Sequence, residues 1–228
     1  MTPEHTTPEP TKPTSTPVNL PRLPAPVVLM RDSVRLEPLT LEHVTGLHVA
    51  LDDDEVWRWL QYQRPIDETA TGTIVVRALE QQDDGVRLPF AILVDGVVAG
   101  TTSYWDSDIF SAGIEIGATF VGKPWWRSRV NTTAKILLLQ HAFETYGYER
   151  VLLKTDLANT RSSDAIARLG AVQEGVLRHH MLRPDGTWRD SVLFSILLEE
   201  WPAMHARLEA ALAKHAGTPT SSNHGVES

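Results

Sequence analysis

One stretch of the chain constrains its fold more than any other: a strand pattern that passes through a basic loop directly into a long helix. It reads IEIGATFVGKPWWRSRVNTTAKILLLQHAFE, residues 114–144. Asn131 and Thr132 are good helix-capping residues at the end of the loop. The first amides of a helix lack intrahelical partners, and the helix dipole favours anions there. With Arg127 and Arg129 nearby, the stretch predicts either a site for a phosphate-bearing ligand or an ordinary capped helix with solvated arginines.

A second stretch, residues 151–180, places polar side chains directly after a strand. It reads VLLKTDLANTRSSDAIARLGAVQEGVLRHH. The strand, VLLKTD (residues 151–156), is nearly all apolar, which predicts burial on both of its faces. Asn159 follows it and precedes a helix predicted over 160–169, which Gly170 ends as a left-handed cap. The Asn159 side chain could therefore bind an amide-rich ligand, or it could simply cap the helix.

The rest of the pattern alternates between strand and helix periods. A strand is predicted over 33–36, and Asp95-Gly96 joins two apolar runs as a hairpin. Further helices are predicted over 41–51, 67–82, 131–146 and 199–214. A last hairpin turns at 184–186. This order predicts an α+β, mixed α/β domain whose sheet is antiparallel at first and parallel at its centre.

Length and proline content predict the domain organisation. The 228 residues suit one domain with tails. Residues 1–26 hold eight of the fifteen prolines and are predicted to be a disordered arm. The folded domain is predicted over 27–216, and 217–228 as a disordered tail.

Composition also excludes several classes of function. No apolar run suits a membrane span and no secretory signal is recognised, so we expect a cytoplasmic protein without a membrane partner. There is no cysteine, hence no thiolate ligand or cysteine nucleophile, and no metal site is predicted. The formal charge of −8 argues against nucleic-acid binding and mildly favours an amine-bearing partner, although the same charge also serves solubility.

Taken together, the two stretches resemble the GNAT superfamily of acyl-CoA-dependent N-acetyltransferases. More narrowly, they resemble the branch related to ribosomal-protein N-terminal acetyltransferases. The resemblance covers roughly 33–198, and its most specific pieces are EIG, RVNTTAK and NTRSSDAIARLGAVQEG. It implies the GNAT fold: a twisted, mixed, mostly antiparallel sheet of about seven strands, flanked by helices, whose central strands splay apart.

The resemblance also implies acetyl-CoA as acyl donor and a set of residues that bind it. Its pantetheine arm would follow the backbone of Ala118, Thr119 and Phe120, with Asn159 at its end. Its pyrophosphate would lie at the helix start, near Arg127, Arg129, Val130, Asn131 and Thr132. Arg129 stands where the family's phosphate turn has glycine, so its side chain could obstruct the phosphate. Alternatively, Arg127 and Arg129 add a charge-assisted grip, which the intact helix start favours.

Acyl transfer to an amine needs a base, donors to the oxyanion and a proton for the departing thiolate. Ser162, at the family's Asn-x-x-Ser serine, is the candidate acid, with helix capping as its alternative. Glu115 is the candidate base, acting directly or through a water; otherwise it faces solvent or a cross-strand partner. Backbone N–H groups around Ala118 are the candidate oxyanion donors.

Aromatic residues between the first two helices are candidates for binding the acceptor. Trp57, Trp59 and Tyr62 could line an amine pocket through cation–π contacts, or they could be core. Since neighbouring strand residues face opposite sides, at most one of His179 and His180 could reach the substrate, and a surface or core role is favoured for both.

The sequence thus predicts an N-acetyltransferase that moves an acetyl group from acetyl-CoA to a primary amine of a protein N-terminus or a small molecule. Without cysteine, no thioester intermediate can form, so direct transfer in a ternary complex is expected. The alternative is a non-catalytic acyl-CoA-binding or regulatory module of the same fold. Self-association as a homodimer is a further expectation.

Overall fold

The computed structural model describes residues 20–216, so the predicted tail and residues 1–19 of the predicted arm lie outside it. Residues 20–26 form no helix or strand. Even so, the Arg22 N–H donates to the Tyr146 carbonyl at 2.8 Å, and the Ala25 N–H donates to the Tyr146 hydroxyl at 2.9 Å. These two hydrogen bonds hold this end of the predicted arm on the domain.

A single mixed sheet organises the domain. Its eight strands are β1 (Leu29–Arg31), β2 (Val34–Pro38), β3 (Arg87–Val94), β4 (Val97–Asp108), β5 (Gly113–Val121), β6 (Arg150–Asp156), β7 (Val172–Leu182) and β8 (Trp188–Leu197). They lie in the order β1-β2-β3-β4-β5-β6-β8-β7, and within the described residues only β5 and β6 pair in parallel. The predicted mixed, mostly antiparallel sheet is confirmed. The expected number of about seven strands agrees with the eight observed, of which three-residue β1 is too short to show an alternating pattern.

The two predicted hairpins are present. Asp95 and Gly96 have φ angles of 50° and 80°, and two consecutive positive φ values are what a two-residue type I′ turn requires. The β7–β8 turn includes Gly186 with φ of 83°. Local turn chemistry therefore fixes the register of two strand pairs.

In the part of the chain that the structure describes, six α-helices flank the sheet. They are α1 (Val44–Ala50), α2 (Asp54–Trp57), α3 (Glu68–Asp83), α4 (Val130–Gln140), α5 (Thr160–Leu169) and α6 (Trp201–Ala216). The helix predicted over 131–146 changes at its end into a π-helix, His141–Tyr146. Asp53 and Asp67 cap α2 and α3, each side chain accepting a backbone N–H of the first turn. The helix predicted over 160–169 is confirmed, and Gly170 ends it with φ of 105°.

Two apolar clusters cover the two faces of the sheet. One packs α4, α5 and α6 on one face, and the other packs α1, α2 and α3 on the opposite face. On β6, Val151 and Leu153 are buried in the first cluster, but Leu152 and Lys154 are only partly buried. The prediction that β6 is buried on both faces is therefore wrong, because its second face borders a cavity. Within residues 20–216, none of the helices combines the length and apolarity that crossing a bilayer demands.

Candidate active site

A large cavity lies where β5 and β6 part. The two strands pair only over Gly113–Glu115 and Arg150–Leu152, so the rest of β5 has no neighbour on that edge. The cavity has a volume of about 1270 Å³ and reaches from α1–α3 on one side to α4 and α5 on the other. Nine arginine and lysine side chains line it against four carboxylates, although the whole chain carries a net charge of −8. The predicted divergence of the central strands therefore produces a basic cleft.

Backbone groups of β5 are presented to this cleft. The pairing of β4 with β5 shifts between Thr101 and Ser103, and Ala118 in the bulge has φ of 46°. Ala118, Thr119 and Phe120 all line the cavity. The Phe120 side chain itself belongs to the α1–α3 core, so backbone is what this residue offers a ligand. An extended chain carrying amide groups could complete the missing strand contacts here.

The residue that caps the start of α4 differs from the prediction. The N-cap is Arg129, not Asn131 or Thr132, which lie two and three residues further on in the first turn. Ser128, which the sequence reasoning missed, accepts the Val130 N–H at 3.2 Å through its hydroxyl. Asn131 and Thr132 line the cavity, and their amides lie where a helix offers no intrahelical acceptor.

The two arginines of the loop face different ways. Arg127 lines the cavity and has a left-handed φ of 58°. Arg129 has an ordinary helical φ of −70°, so no glycine is needed at this position. Its guanidinium pairs with Asp32 in the β1–β2 turn, and neither Arg129 nor buried Val130 belongs to the cavity lining. The Arg129 side chain therefore does not obstruct the helix start.

A further arginine, not identified from the sequence, stands opposite this loop. The guanidinium carbon of Arg161 lies 3.4 Å from the ring centroid of Trp126, whose indole N–H donates to the Val121 carbonyl at 2.6 Å. Arg161 lies in the first turn of α5 and lines the same cavity. Nothing in the local sequence signals this contact, because α5 meets the loop only through the fold.

Asn159 and Ser162 lie together at the start of α5. The Asn159 Oδ1 accepts the Ser162 N–H at 3.1 Å, so the capping role is real. The Asn159 side-chain NH₂ is not used by this cap. Both residues line the cavity, and the Ser162 hydroxyl forms no hydrogen bond within residues 20–216. Each side chain thus keeps a donor for a ligand.

Glu115 lies inside the cleft beside a lysine of the next strand. Its carboxylate is 2.6 Å from the Lys154 Nζ, and only 12% of its side chain is exposed. Burial raises the pKa of the Glu115 carboxyl above its ordinary value; Lys154 acts against this shift, and Asp106 adds to it. Gly117 leaves room for the carboxylate, since a Cβ there would lie 2.9 Å from Oε1. A carboxylate with a raised pKa is suited to accept a proton near neutral pH.

Lys135 is a second titratable group that the sequence reasoning missed. It is buried on α4 and donates from Nζ to the Thr119 hydroxyl at 2.6 Å. Burial lowers the pKa of the Lys135 ammonium to about 7. It therefore lies directly beneath the unpaired part of β5.

The predicted acceptor residues all line the cavity but differ in role. Trp57 is 6% exposed and donates its indole N–H to the Leu51 carbonyl at 2.7 Å, which is a core role. Trp59 and Tyr62 are partly buried and lie under arginine side chains, those of Arg58 and Arg77. These two aromatics are the ones available to a substrate.

Only one of the two adjacent histidines faces the cleft. His180 lines it, and its Nδ1 lies 3.0 Å from the Ser191 hydroxyl. His179 is exposed and stacks on Trp188 at 5.4 Å between ring centroids. This agrees with the expectation that neighbouring strand residues point to opposite sides.

Comparisons with known proteins agree with this geometry. The acetyltransferase (GNAT) domain matches residues 33–172. YdaF of Bacillus subtilis, provisionally named a ribosomal N-acetyltransferase, is 27% identical over 73% of this chain and 90% of its own. A provisionally assigned acetyltransferase structure from T. thermophilus is 42% identical, with a TM-score of 0.76 over 83% of this chain and 98% of its own.

A third relative was solved with a form of the expected cofactor. The structure of Mycobacterium smegmatis RimJ in complex with CoA-disulfide is 26% identical, with a TM-score of 0.67 over 78% of this chain and 88% of its own. The unpaired β5 edge, the open helix start and the basic lining suit a long, phosphate-bearing thioester, so the residues present fit acetyl-CoA. The chain belongs to the GNAT family of acetyltransferases, enzymes that transfer an acetyl group from acetyl-CoA to an amine.

Proposed function

We propose that this enzyme acetylates a primary amine, on a polypeptide N-terminus or a small molecule, by direct transfer while both substrates are bound. The observation that carries the proposal is the position of Glu115, which faces the cleft at the point where β5 leaves β6. Unpaired backbone for the donor lies beyond this point, and the aromatic residues proposed for the acceptor lie on the α1–α3 side. A base between the two substrates is what the reaction needs.

Each proposed role follows from a group that the fold leaves available. The thioester supplies an activated acetyl carbonyl. Glu115 takes a proton from the ammonium or the attacking amine, directly or through a water. An N–H of the β5 bulge around Ala118 stabilises the charge on the carbonyl oxygen. The hydroxyl of Ser162 gives a proton to the departing sulfur, and Asn159 holds the end of the donor arm.

The acceptor is narrowed by the relatives. Relatives named for ribosomal proteins, such as the alanine N-acetyltransferase of ribosomal protein uS5 in Escherichia coli, favour a peptide amine. The cleft is open enough for the first residues of an extended peptide as well as for a small molecule. A cytoplasmic location and a homodimer stay predictions.

The first experiment is a calorimetric titration with acetyl-CoA and with CoA, followed by an amine panel read out by thiol release. The chain has no cysteine, so a thiol reagent detects CoA alone. We expect saturable binding and turnover of some primary amines. Absence of acetyl-CoA binding would contradict the proposal, and binding without turnover of any peptide or small amine would favour the non-catalytic module.

Ser162→Ala tests the proton donor, with Ser163→Ala as its matched control. Ser163 lies on the same turn but does not line the cavity. We expect Ser162→Ala to lower kcat by about tenfold to a hundredfold with an unchanged Kd for CoA, because general acids contribute on that scale. The control should keep both values. Equal losses of kcat and affinity in Ser162→Ala would assign it to binding instead.

A further inference from the structure

A buried arginine without a counter-charge lies at the acceptor side of the cleft. Arg87 is 7% exposed and lines the cavity. Its Nε donates to the Ser103 hydroxyl at 2.8 Å and its Nη1 donates to Gln81 Oε1 at 3.2 Å. Both partners are neutral. Across residues 20–216, no carboxylate forms an ion pair with Arg87, and its Nη2 donates to none of these residues.

A buried arginine without a counter-charge lowers the stability of the folded state. A buried charge without a partner of opposite sign loses its hydration and gains little in return. Burial lowers the pKa of the Arg87 guanidinium to about 10, which still leaves it charged at neutral pH. Hydrogen bonds from Ser103 and Gln81 hold its orientation without neutralising it. A ligand that carries negative charge would supply the counter-charge that the fold does not provide.

The strand register places Arg87 in line with the proposed base. Arg87 on β3 is the partner of Trp105 on β4, and Trp105 is the partner of Glu115 on β5. Directly opposed residues on neighbouring strands point to the same face, so all three side chains point into the cleft. The Arg87 guanidinium lies over the Trp105 ring, 4.8 Å from its centroid. The Trp105 side chain therefore lies between Arg87 and Glu115 on the same face of the sheet.

We propose that the acceptor of this enzyme carries a carboxylate, which Arg87 binds while the amine lies at Glu115. This inference rests on the proposed function. Two strand spacings separate the Cα atoms of Arg87 and Glu115 by about 10 Å. An acceptor that places its amine at Glu115 and its carboxylate at Arg87 must therefore be short. That span suits a short ω-amino acid, or a peptide N-terminus with an acidic side chain close behind it.

The surroundings of Arg87 support an anion at this end of the cleft. Arg77 also lines the cavity, and its guanidinium carbon lies 5.9 Å from the ring centroid of Tyr62. Arg77 lies on α3 and Arg87 on β3, so neither belongs to the loop before α4 that is proposed for the phosphates of the donor. The Nη2 of Arg87, which has no partner within residues 20–216, can donate a charge-assisted hydrogen bond to a carboxylate oxygen.

The test compares amines that differ only in their distal charge. One arm uses 3-aminopropanoate, 4-aminobutanoate and 5-aminopentanoate, each against its own amide. The other uses the peptides Ala-Glu-Ala-amide and Ala-Gln-Ala-amide. Values of kcat/KM are measured by thiol release for the wild type, Arg87→Met, Arg87→Lys and the surface control Arg35→Gln, which lies on β2 outside the cavity.

We expect the wild type to prefer the carboxylate over the matched amide by at least tenfold in one arm. This preference should fall to within twofold in Arg87→Met, persist in part in Arg87→Lys and stay unchanged in Arg35→Gln. The arm that shows it tells a free amino acid from a peptide. Equal use of carboxylates and amides by the wild type, or a preference that survives Arg87→Met, would overturn the inference while leaving the proposed function intact.

Two further measurements, cofactor binding and thermal unfolding, decide how the remaining outcomes are interpreted. If acetyl-CoA binds and no panel member is acetylated, the inference is overturned, because the panel spans the distance that the fold sets. If acetyl-CoA does not bind, the proposed function fails first. Thermal unfolding separates a structural role: we expect Arg87→Met to keep or raise Tm, since it removes a buried charge. A lower Tm together with an unchanged substrate preference would make Arg87 a structural residue.

Discussion

At the scale of single residues, the ion pair between Glu115 and Lys154 sets how the proposed base behaves. Burial pushes the pKa of the Glu115 carboxyl up, and the nearby ammonium holds it down. A base is useful only as the carboxylate, so the balance decides the lowest pH at which the enzyme works. Burial wins, because the carboxylate is mostly shielded from water.

The first prediction concerns this balance. Lys154→Met removes the ammonium, so the pKa of Glu115 should rise further and the acid limb of the kcat/KM profile should move to higher pH. In Glu115→Gln that limb should disappear and kcat should fall by about a hundredfold. Rates measured across about pH 5–9 for both variants check this. An acid limb that stays in place in Glu115→Gln would mean that another group is the base.

Asn159 combines two roles that substitution can separate. Asp caps helices as well as Asn does, but its carboxylate cannot donate. We expect Asn159→Asp to keep Tm and to weaken CoA binding about tenfold, the worth of one lost hydrogen bond. Asn159→Ala should also lower stability by about 1 kcal/mol, because the cap is lost. If Asn159→Asp binds CoA as well as the wild type does, Asn159 is a cap only.

At the scale of elements, the loop before α4 decides which charges the donor meets. Backbone conformation separates the two arginines: Arg127 is left-handed and turned to the cleft, while Arg129 is helical and tied to Asp32. The loop does not need the family's glycine at this position, because the backbone of Arg129 does not adopt a positive φ. The anion site that we propose is instead the open first turn of α4, with Arg127 and Arg161 in the lining of the same cavity.

A pair of variants tests this division. Arg127→Gly removes the positive charge of the side chain. It also removes the cost of about 1–2 kcal/mol that a non-glycine residue pays for a left-handed backbone, and this gain offsets the greater conformational freedom of glycine in the unfolded chain. We therefore expect an unchanged Tm and a roughly tenfold weaker Kd for CoA at low salt. Arg129→Gln should alter that Kd by less than about twofold. Calorimetry at two salt concentrations measures both, and the reverse order of effects would place the phosphates at Arg129.

At the scale of the whole molecule, the cleft costs stability through the groups that it buries. The clearest case is Lys135, whose pKa falls from 10.5 to about 7 on folding. Between these values the unfolded chain binds a proton that the folded chain does not, so the free energy of unfolding rises with pH across this window. Below about pH 7 both states carry the proton and the slope vanishes.

Lys135→Met should remove this slope. We expect the variant to be more stable than the wild type at pH 7 and the difference to shrink by pH 9.5, as measured by denaturant unfolding. Lys123→Met is the control, because Lys123 is exposed and paired with Asp53 and Glu55, and its pKa lies above the ordinary value. A wild-type slope that persists in Lys135→Met would contradict the shifted pKa.

The sequence by itself determined the local structure and the family. The turn at Asp95-Gly96, the cap at Asn159 and the end of α5 at Gly170 depend on residues next to one another, so their chemistry is legible without the fold. The divergence of β5 and β6 and the use of acetyl-CoA were implied by the family resemblance that the two stretches carry together. Predictions that required side-chain direction fared less well, as the N-cap of α4 and the second face of β6 show.

Only the tertiary structure decided which distant groups meet. Glu115 with Lys154, Arg161 with Trp126 and Arg87 with Trp105 belong to elements that the sheet order brings together. No periodicity encodes these pairs, because each depends on strand register and on which face of the sheet a residue takes. Burial then gives them their chemistry, raising the pKa of Glu115 and leaving Arg87 without a counter-charge. Desolvation and strand register are properties of the assembled fold, whereas caps and turns are properties of neighbouring residues.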